Sequence, residues 1–263
     1  MKGLKKLVLV SAIATISSSV HAELKELDDE VMGDLTGQAG LTIELETQVD
    51  VGSLIYTDEG SLALNNIHLG GQGGTLLDDI SITIDIASDG DAIIDVHSTS
   101  GSPIDFNLSI DSIELNGTSG ENTLLLSNIN MDGFLTKLNM TVDTATDTLN
   151  GTVGFYITDQ DMDIDFLAVG IKDVTVGSDN STGLVTDTEE QAIVAATGSA
   201  FIHSSLSKST NSNAASGEAL VLVTNAFELD IDVGAFEIGG TSIGTLAISD
   251  LVIGNTRMEI YGH

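Results

Sequence analysis

Apolar and polar residues alternate through most of this chain, and nothing else in it restricts the fold so strongly. Leu41, Ile43 and Leu45 are interleaved with Thr42, Glu44 and Glu46. Ile80, Ile82, Ile84 and Ile86 enclose Ser81, Thr83 and Asp85, while Phe227, Leu229, Ile231 and Val233 enclose Glu228, Asp230 and Asp232. Successive side chains of a strand point to opposite faces, so each run predicts one aliphatic and one acidic face. Clusters of Gly, Asn, Asp and Ser punctuate the runs as turns do. A single proline in 263 residues fits continuous ladders, to which proline cannot donate. The expectation is an all-β chain.

A second regularity lies beneath the alternation. The apolar spacing h-x-h-x-x-h-x-h occurs at Val49-Val51-Leu54-Tyr56, Leu62-Leu64-Ile67-Leu69, Leu108-Ile110-Ile113-Leu115 and Leu124-Leu126-Ile129-Met131. It recurs at Val169-Ile171-Val174-Val176, Ile231-Val233-Phe236-Ile238 and Leu246-Ile248-Leu251-Ile253. One series starts at residues 49, 108, 169 and 231; its partner starts at 62, 124 and 246, with one slot missing. Residues 77–89 also align without gaps on 135–147, and Ile104, Asp105 and Phe106 return as Ile164, Asp165 and Phe166. The period implies about four copies of a sixty-residue unit, the third degenerate and the last cut short. On this reading 108–115 and 169–176 hold equivalent places. The doubled x-x is usually small or polar, as in Gly52-Ser53, Asn65-Asn66, Ser127-Asn128 and Ser249-Asp250. Two residues out of phase in one strand are what a β-bulge or sheet corner needs, because the extra residue restores the inward face after a bend.

The architectures consistent with this are an elongated repetitive β-fold, either a β-solenoid or β-roll, or a layered sandwich of bulged hairpins. A four-bladed propeller would have one badly damaged blade. An outer-membrane barrel lacks its aromatic girdles, with 4% aromatic residues and no Trp. One helix is expected over 188–206, with Glu189 and Glu190 in a first turn that favours acids. The Ser/Thr/Asn-rich residues 204–216 read as a surface loop, part of an insertion around 178–216 in one β domain spanning 23–263.

Composition excludes several chemistries. The chain carries 40 Asp and Glu against 8 Lys and Arg, a net charge of −32. Such a chain is repelled by phosphate backbones, which argues against nucleic-acid binding. Cysteine is absent, so no disulfide framework, thiolate nucleophile or Cys-ligated metal can form. With 41% hydrophobic residues the chain is too apolar for a disordered polyanion. Its start reads as an export signal: Lys2, Lys5 and Lys6, an apolar stretch over 7–16, and Val20-His21-Ala22 before Glu23. The apolar stretch is too short to span a bilayer. Cleavage after residue 22 would leave a mature chain with no transmembrane span.

The segment from Leu27 to Leu45, with Asp28, Asp29, Leu35, Thr36, Gly37, Gln38, Ala39, Gly40 and Leu41, resembles the opening of a family of exported acidic proteins from gammaproteobacteria. The ending, 244–254 and Ile260 to His263, is similar to the same family. Its members are largely uncharacterised, and some are labelled as components of pilus or filament systems. The resemblance implies a cell-surface or periplasmic place and carries no catalytic residues with it.

Candidate sites are few. Gly240, Ser242 and Gly244 satisfy the G-x-S-x-G spacing of a nucleophile elbow, but that elbow needs a strand before and a helix after. A hairpin turn accounts for them. His68, His97, His203 and His263 form no pair at metal-ligand spacing, and His68 and His97 occupy polar slots of alternating strands. Residues 70–75 begin like a calcium nonapeptide but place Thr75 where Asp is required. Asp159, Asp161, Asp163 and Asp165 would line one face of a strand at about 6.5–7 Å intervals. Calcium is the cofactor such a row could hold, shared with a neighbouring strand; the plainer reading is a solubilising face.

Two functions fit. One is a non-catalytic exported structural or interaction protein of the surface or periplasm, a filament, adhesion or matrix component. Its partners would be other cell-envelope or filament proteins, or further copies joined through open sheet edges. The other is a carrier enclosing a hydrophobic ligand, a lipid or hydrocarbon, in an aliphatic interior poor in aromatics. No motif supports an enzyme.

Overall fold

The computed structural model describes residues 40–262. The expected export signal and its cleavage site, most of the family-like opening and His263 lie outside the described residues.

Alternation produces strands wherever it was read. In chain order they are β1 (Leu41–Thr47), β2 (Val49–Thr57), β3 (Ser61–Gly70), β4 (Leu77–Ile86) and β5 (Ala92–Ser98). There follow β6 (Ile104–Asn116), β7 (Asn122–Asp143), β8 (Thr148–Ile164) and β9 (Val169–Gly177). After helix α1 (Thr188–Thr197) come β10 (Ala200–Thr210), β11 (Glu218–Thr224), β12 (Phe227–Ile238), β13 (Thr241–Ile253) and β14 (Thr256–Ile260). All fourteen belong to one open sheet in which every pairing is antiparallel.

The two longest strands organise it. The first part of β7 pairs with β6 and its last part with β5; β8 pairs with β10 and then with β9. The sheet therefore has two halves. Half-sheet I runs β1-β4-β5-β7-β8-β10-β11-β14, and half-sheet II runs β2-β3-β6-β7-β8-β9-β12-β13. Where they meet, Thr136 on β7 and Thr158 on β8 are extra residues in the ladder. Such bulges bend a strand while keeping its apolar side on one face.

Hairpins alternate between the halves. The chain makes β2–β3 in half-sheet II, β4–β5 in I, β6–β7 in II, β7–β8 in I, β8–β9 in II, β10–β11 in I and β12–β13 in II, then enters I as β14. This is the expected repetition, four units of bulged hairpins laid side by side in a single ladder rather than wound as solenoid coils. The match of 77–89 to 135–147 is structural, since both segments open a hairpin of half-sheet I. The equivalence of 108–115 and 169–176 is not. Residues 108–115 lie in β6, the opening strand of its hairpin, while 169–176 lie in β9, a closing strand. The opening strand of the third unit is the last part of β8, where the acidic segment replaces the motif. Ile104 likewise opens β6, whereas Ile164 ends β8.

The doubled residues mark bends, and only some of them are bulges. The register shifts past Ser127 between β7 and β8 and at Ser249-Asp250 between β13 and β12. Between β2 and β3 it does not shift: Val51 faces Ile67 and Ser53 faces Asn65, with one residue on each strand, Gly52 and Asn66, between them at the corner. Asn66, Asn128, Asp173 and Asp250 have φ of 50–56°, a left-handed conformation that Asn and Asp tolerate better than other side chains.

Two corrections concern 188–216. The helix ends at Thr197, where Gly198 takes φ 71° and its N–H returns to Val194, the glycine cap that stops a helix. Residues 200–210 then form β10, an inner strand between β8 and β11, so much of the Ser/Thr-rich run is sheet and not loop. Helix α1 is capped by Asp187, whose carboxylate accepts from the N–H of Glu189 and Glu190. Its Val194 packs with Val185 and Phe201 in a small core.

Candidate functional site

The distinguishing feature is a face. From β2 to β12, Leu54, Leu64, Ile113, Leu126, Ile164, Val169 and Ile238 are successive register partners. From β4 to β14, Ile86, Ala92, Val142, Leu149, Leu206, Leu222 and Met258 form a second such row. Because side chains alternate, these rows share one side of the sheet, and Glu44, Asp50, Asp85, Asp95, Asp111, Asp132, Asp161, Asp232 and Glu259 fall on the other. The sheet is amphipathic over its whole width.

Its apolar side is covered only near the bend. Ile80, Ile104, Ile157, Val174 and Val233, all close to the junction of the halves, are buried. Outward from it exposure climbs, to 55% at Leu54, 67% at Tyr56 and 68% at Ile86. Among the described residues thirteen apolar side chains are buried while twenty-four large ones are exposed. That ratio exceeds the scattered exposure of ordinary surfaces and marks an interaction face. On half-sheet I, Leu138, Leu149, Val153, Ile202 and Leu222 line an apolar depression of about 280 Å³.

On the acidic side the structure divides the four aspartates read as a row. Asp159 and Asp161 converge with Asp173 of β9, one carboxylate oxygen of each lying within 4.8 Å of the others. Burial raises the pKa of Asp159, and the charges of Asp161, Asp173 and Asp132 add to it. Asp163 instead accepts from Asn128 at 2.8 Å and pairs with Lys172 at 2.9 Å, which lowers its pKa. Asp165 has left the strand for a 3-10 turn, with one carboxylate oxygen buried and without a hydrogen-bond partner. With one oxygen from each, the three carboxylates supply three of the six to eight oxygens a calcium ion takes, so an ion held by Asp159, Asp161 and Asp173 in this way would keep much of its water.

A second acidic group, Asp179, Glu228 and Asp230, also gathers within 4.8 Å. Glu228 is buried and accepts from the Ser178 hydroxyl, the Ser181 N–H, and the N–H and hydroxyl of Thr182. Burial would raise its pKa, but these donors hold it below the usual range. It anchors the loop leading to α1. Under that helix, Glu190 is buried against Lys137 at 3.4 Å and His203 at 3.1 Å. Sequence reasoning missed both groups, because their members are far apart in the chain and only the topology joins them.

The remaining candidates take structural roles. Ser242 lies on β13, one strand of a hairpin whose turn is Gly239-Gly240 with φ 57° and 76°; no helix follows it, so no nucleophile elbow is formed. His68 and His97 pair with Asp50 and Asp95 at 2.8 and 3.0 Å. The glycine-rich 70–75 segment is the turn from β3 to β4. There Gln72 fixes the turn against β6 and β7, its N–H donating to Asp105 and its side chain to the Gly133 carbonyl.

Among the described residues no helix is long and apolar enough to cross a membrane. No curated protein and no solved structure matches the chain. A family of unknown function (DUF6160) matches residues 1–88, which include β1 to β4, so that over about its first third the chain is similar to an uncharacterised family.

Proposed function

We propose that this is a non-catalytic structural or interaction protein of the cell exterior, periplasmic or surface-bound, built into an envelope, filament or matrix assembly. The observation that carries the reading is the continuous aliphatic face, seven strands wide in each half and open to solvent away from the bend. A face of this size is costly in water at about 25 cal/mol per Å² of apolar surface, and a chain that keeps it has a use for it. The export signal at residues 1–22 and the acidic opposite face support a place outside the cytoplasm. The test is location: fractionation of the producing cell, with mechanical shearing. Recovery in the envelope or sheared fraction supports the proposal, and recovery with the cytoplasmic enzymes overturns it.

The apolar depression on half-sheet I favours a second reading, a carrier of one lipid or hydrocarbon chain. Organic extraction of the purified protein followed by mass spectrometry separates the two. Stoichiometric lipid supports the carrier.

A further inference from the structure

Among the described residues the four outermost strands of the sheet have no partner on their outer side. Among the described residues β1 pairs only with β4, β2 with β3, β13 with β12 and β14 with β11. All residues of β2 and β14 are exposed, as are nearly all of β1 and most of β13. Soluble proteins blunt such edges with lysine, proline or dense charge. Here β2 carries one charged residue, Asp50, and β13 one, Asp250; β1 carries Glu44 and Glu46 and β14 Arg257 and Glu259, and none of the four has lysine or proline.

The two sides are also complementary. Each half-sheet has eight strands, every neighbour antiparallel, so its two outermost strands run in opposite directions. Strand β14 enters half-sheet I without a hairpin mate, and β1 is a lone strand of the same half before the first hairpin of half-sheet II. Placed side by side, β14 of one copy and β1 of the next would supply the hairpin of half-sheet I that the fourth unit lacks. Strand β13 would then meet β2, both carrying the apolar motif with its doubled residues.

We infer that copies of this chain join head to tail, β13 against β2 and β14 against β1 of the next copy, continuing the internal repeat across the junction. The inference rests on the interaction-protein reading above and names the partner as a second copy. Register follows from a junction inside the chain. There β3 and β6 pair Leu64 with Ile113, Asn65 with Ser112 and Ile67 with Ile110. Transferred position by position, Ile248 faces Leu54, Ser249 faces Ser53 and Leu251 faces Val51 of the next copy. Gly52, where an added Cβ would meet nothing within 4 Å, then faces Asp250, as Asp111 faces Asn66. A heterologous contact of this kind builds an open filament, or a ring where the rotation closes.

The absence of cysteine makes the test clean. Directly opposed residues of an antiparallel pair have Cβ atoms about 4.5–5.5 Å apart, within reach of a disulfide after slight adjustment. The purified mature chain with Ser53→Cys and Ser249→Cys, equilibrated in a glutathione redox buffer, should give a ladder of covalent multimers on non-reducing gels. The off-register pair Ser53→Cys with Thr241→Cys should give none. Asn65→Cys with Ser112→Cys, opposed within one chain, should close internally and report an intact sheet. An internal bridge without a ladder overturns the inference, and so do dimers from Ser53→Cys alone, which would mean that like edges meet. An envelope location without a ladder rejects this assembly and leaves the function standing; a ladder from a cytoplasmic protein does the reverse.

Discussion

At the scale of single residues, the bend in each strand depends on side chains that accept a left-handed backbone. Asn128 has φ 51° and donates to Asp163 at 2.8 Å. An alanine there would meet a left-handed penalty of about 1–2 kcal/mol, with a hydrogen bond lost besides. Asn128→Ala should therefore lower stability in urea by roughly that amount, and Asn128→Gly should recover the backbone part. Equal loss in both variants would place the cost in the side chain alone. Asp159 tests the acidic side. Burial and its acidic neighbours raise its pKa above the ordinary 3.8, so the folded chain holds this proton more tightly than the open one. Ionisation then costs stability, fully above the raised pKa and not at all below 3.8. Asp159→Asn should be more stable than the parent at pH 7, by a few tenths of a kcal/mol, with the advantage fading as pH falls through that window. A variant less stable at pH 7 would show that a partner needs the charge.

Elements meet most tightly where the halves join. A Cβ on Gly133 would lie 2.8 Å from the Phe106 ring and 2.8 Å from the Tyr156 carbonyl. Ring and backbone cannot both give way, so Gly133→Ala should cost about 1–3 kcal/mol, read as an earlier urea midpoint at unchanged slope. A neutral result would mean that the bend is plastic. Much at this scale was legible in sequence. Alternation located the strands, and the doubled small residues located the bends, because both are properties of neighbouring positions. The third unit was misread for a physical reason: the last part of β8 keeps Ile157, Met162 and Ile164 but replaces the motif with aspartates, and β9, which does carry it, was taken for the opening strand. Strand β10 was hidden because Ser204, Ser205 and Ser207 imitate a loop; its neighbours β8 and β11 supply the order that its own composition does not. Of the aspartate row, only Asp159 and Asp161 stay together, since the path of β9 decides which carboxylate joins them and which meets Lys172.

For the whole molecule, the decisive property is that charge and apolar surface are sorted to opposite sides. The chain carries a net charge of −32, and the carboxylates of the described strands lie chiefly on one face, so their self-repulsion opposes folding without being relieved by the other. Few side chains are buried by the single chain, and further stabilisation must come from whatever covers the edges and the aliphatic face. When folding and association are linked, stability depends on protomer concentration. Melting should therefore move upward with concentration. Each tenfold increase adds at most about 1.4 kcal/mol per protomer, worth roughly 3–6 °C in a domain of this size. Sodium chloride should raise the melting temperature at fixed concentration, because screening over about 8 Å at physiological ionic strength weakens repulsion both within one sheet and between joined ones. A chain stable by itself would respond to salt through the first of these only, and its melting temperature would not change on dilution. Melts over a dilution series at low and high salt separate the cases. A temperature that rises with concentration, and more steeply in salt, identifies the open sheet as an assembling one; a melting temperature indifferent to dilution at both salts would make the single chain the stable unit and leave its open edges unused.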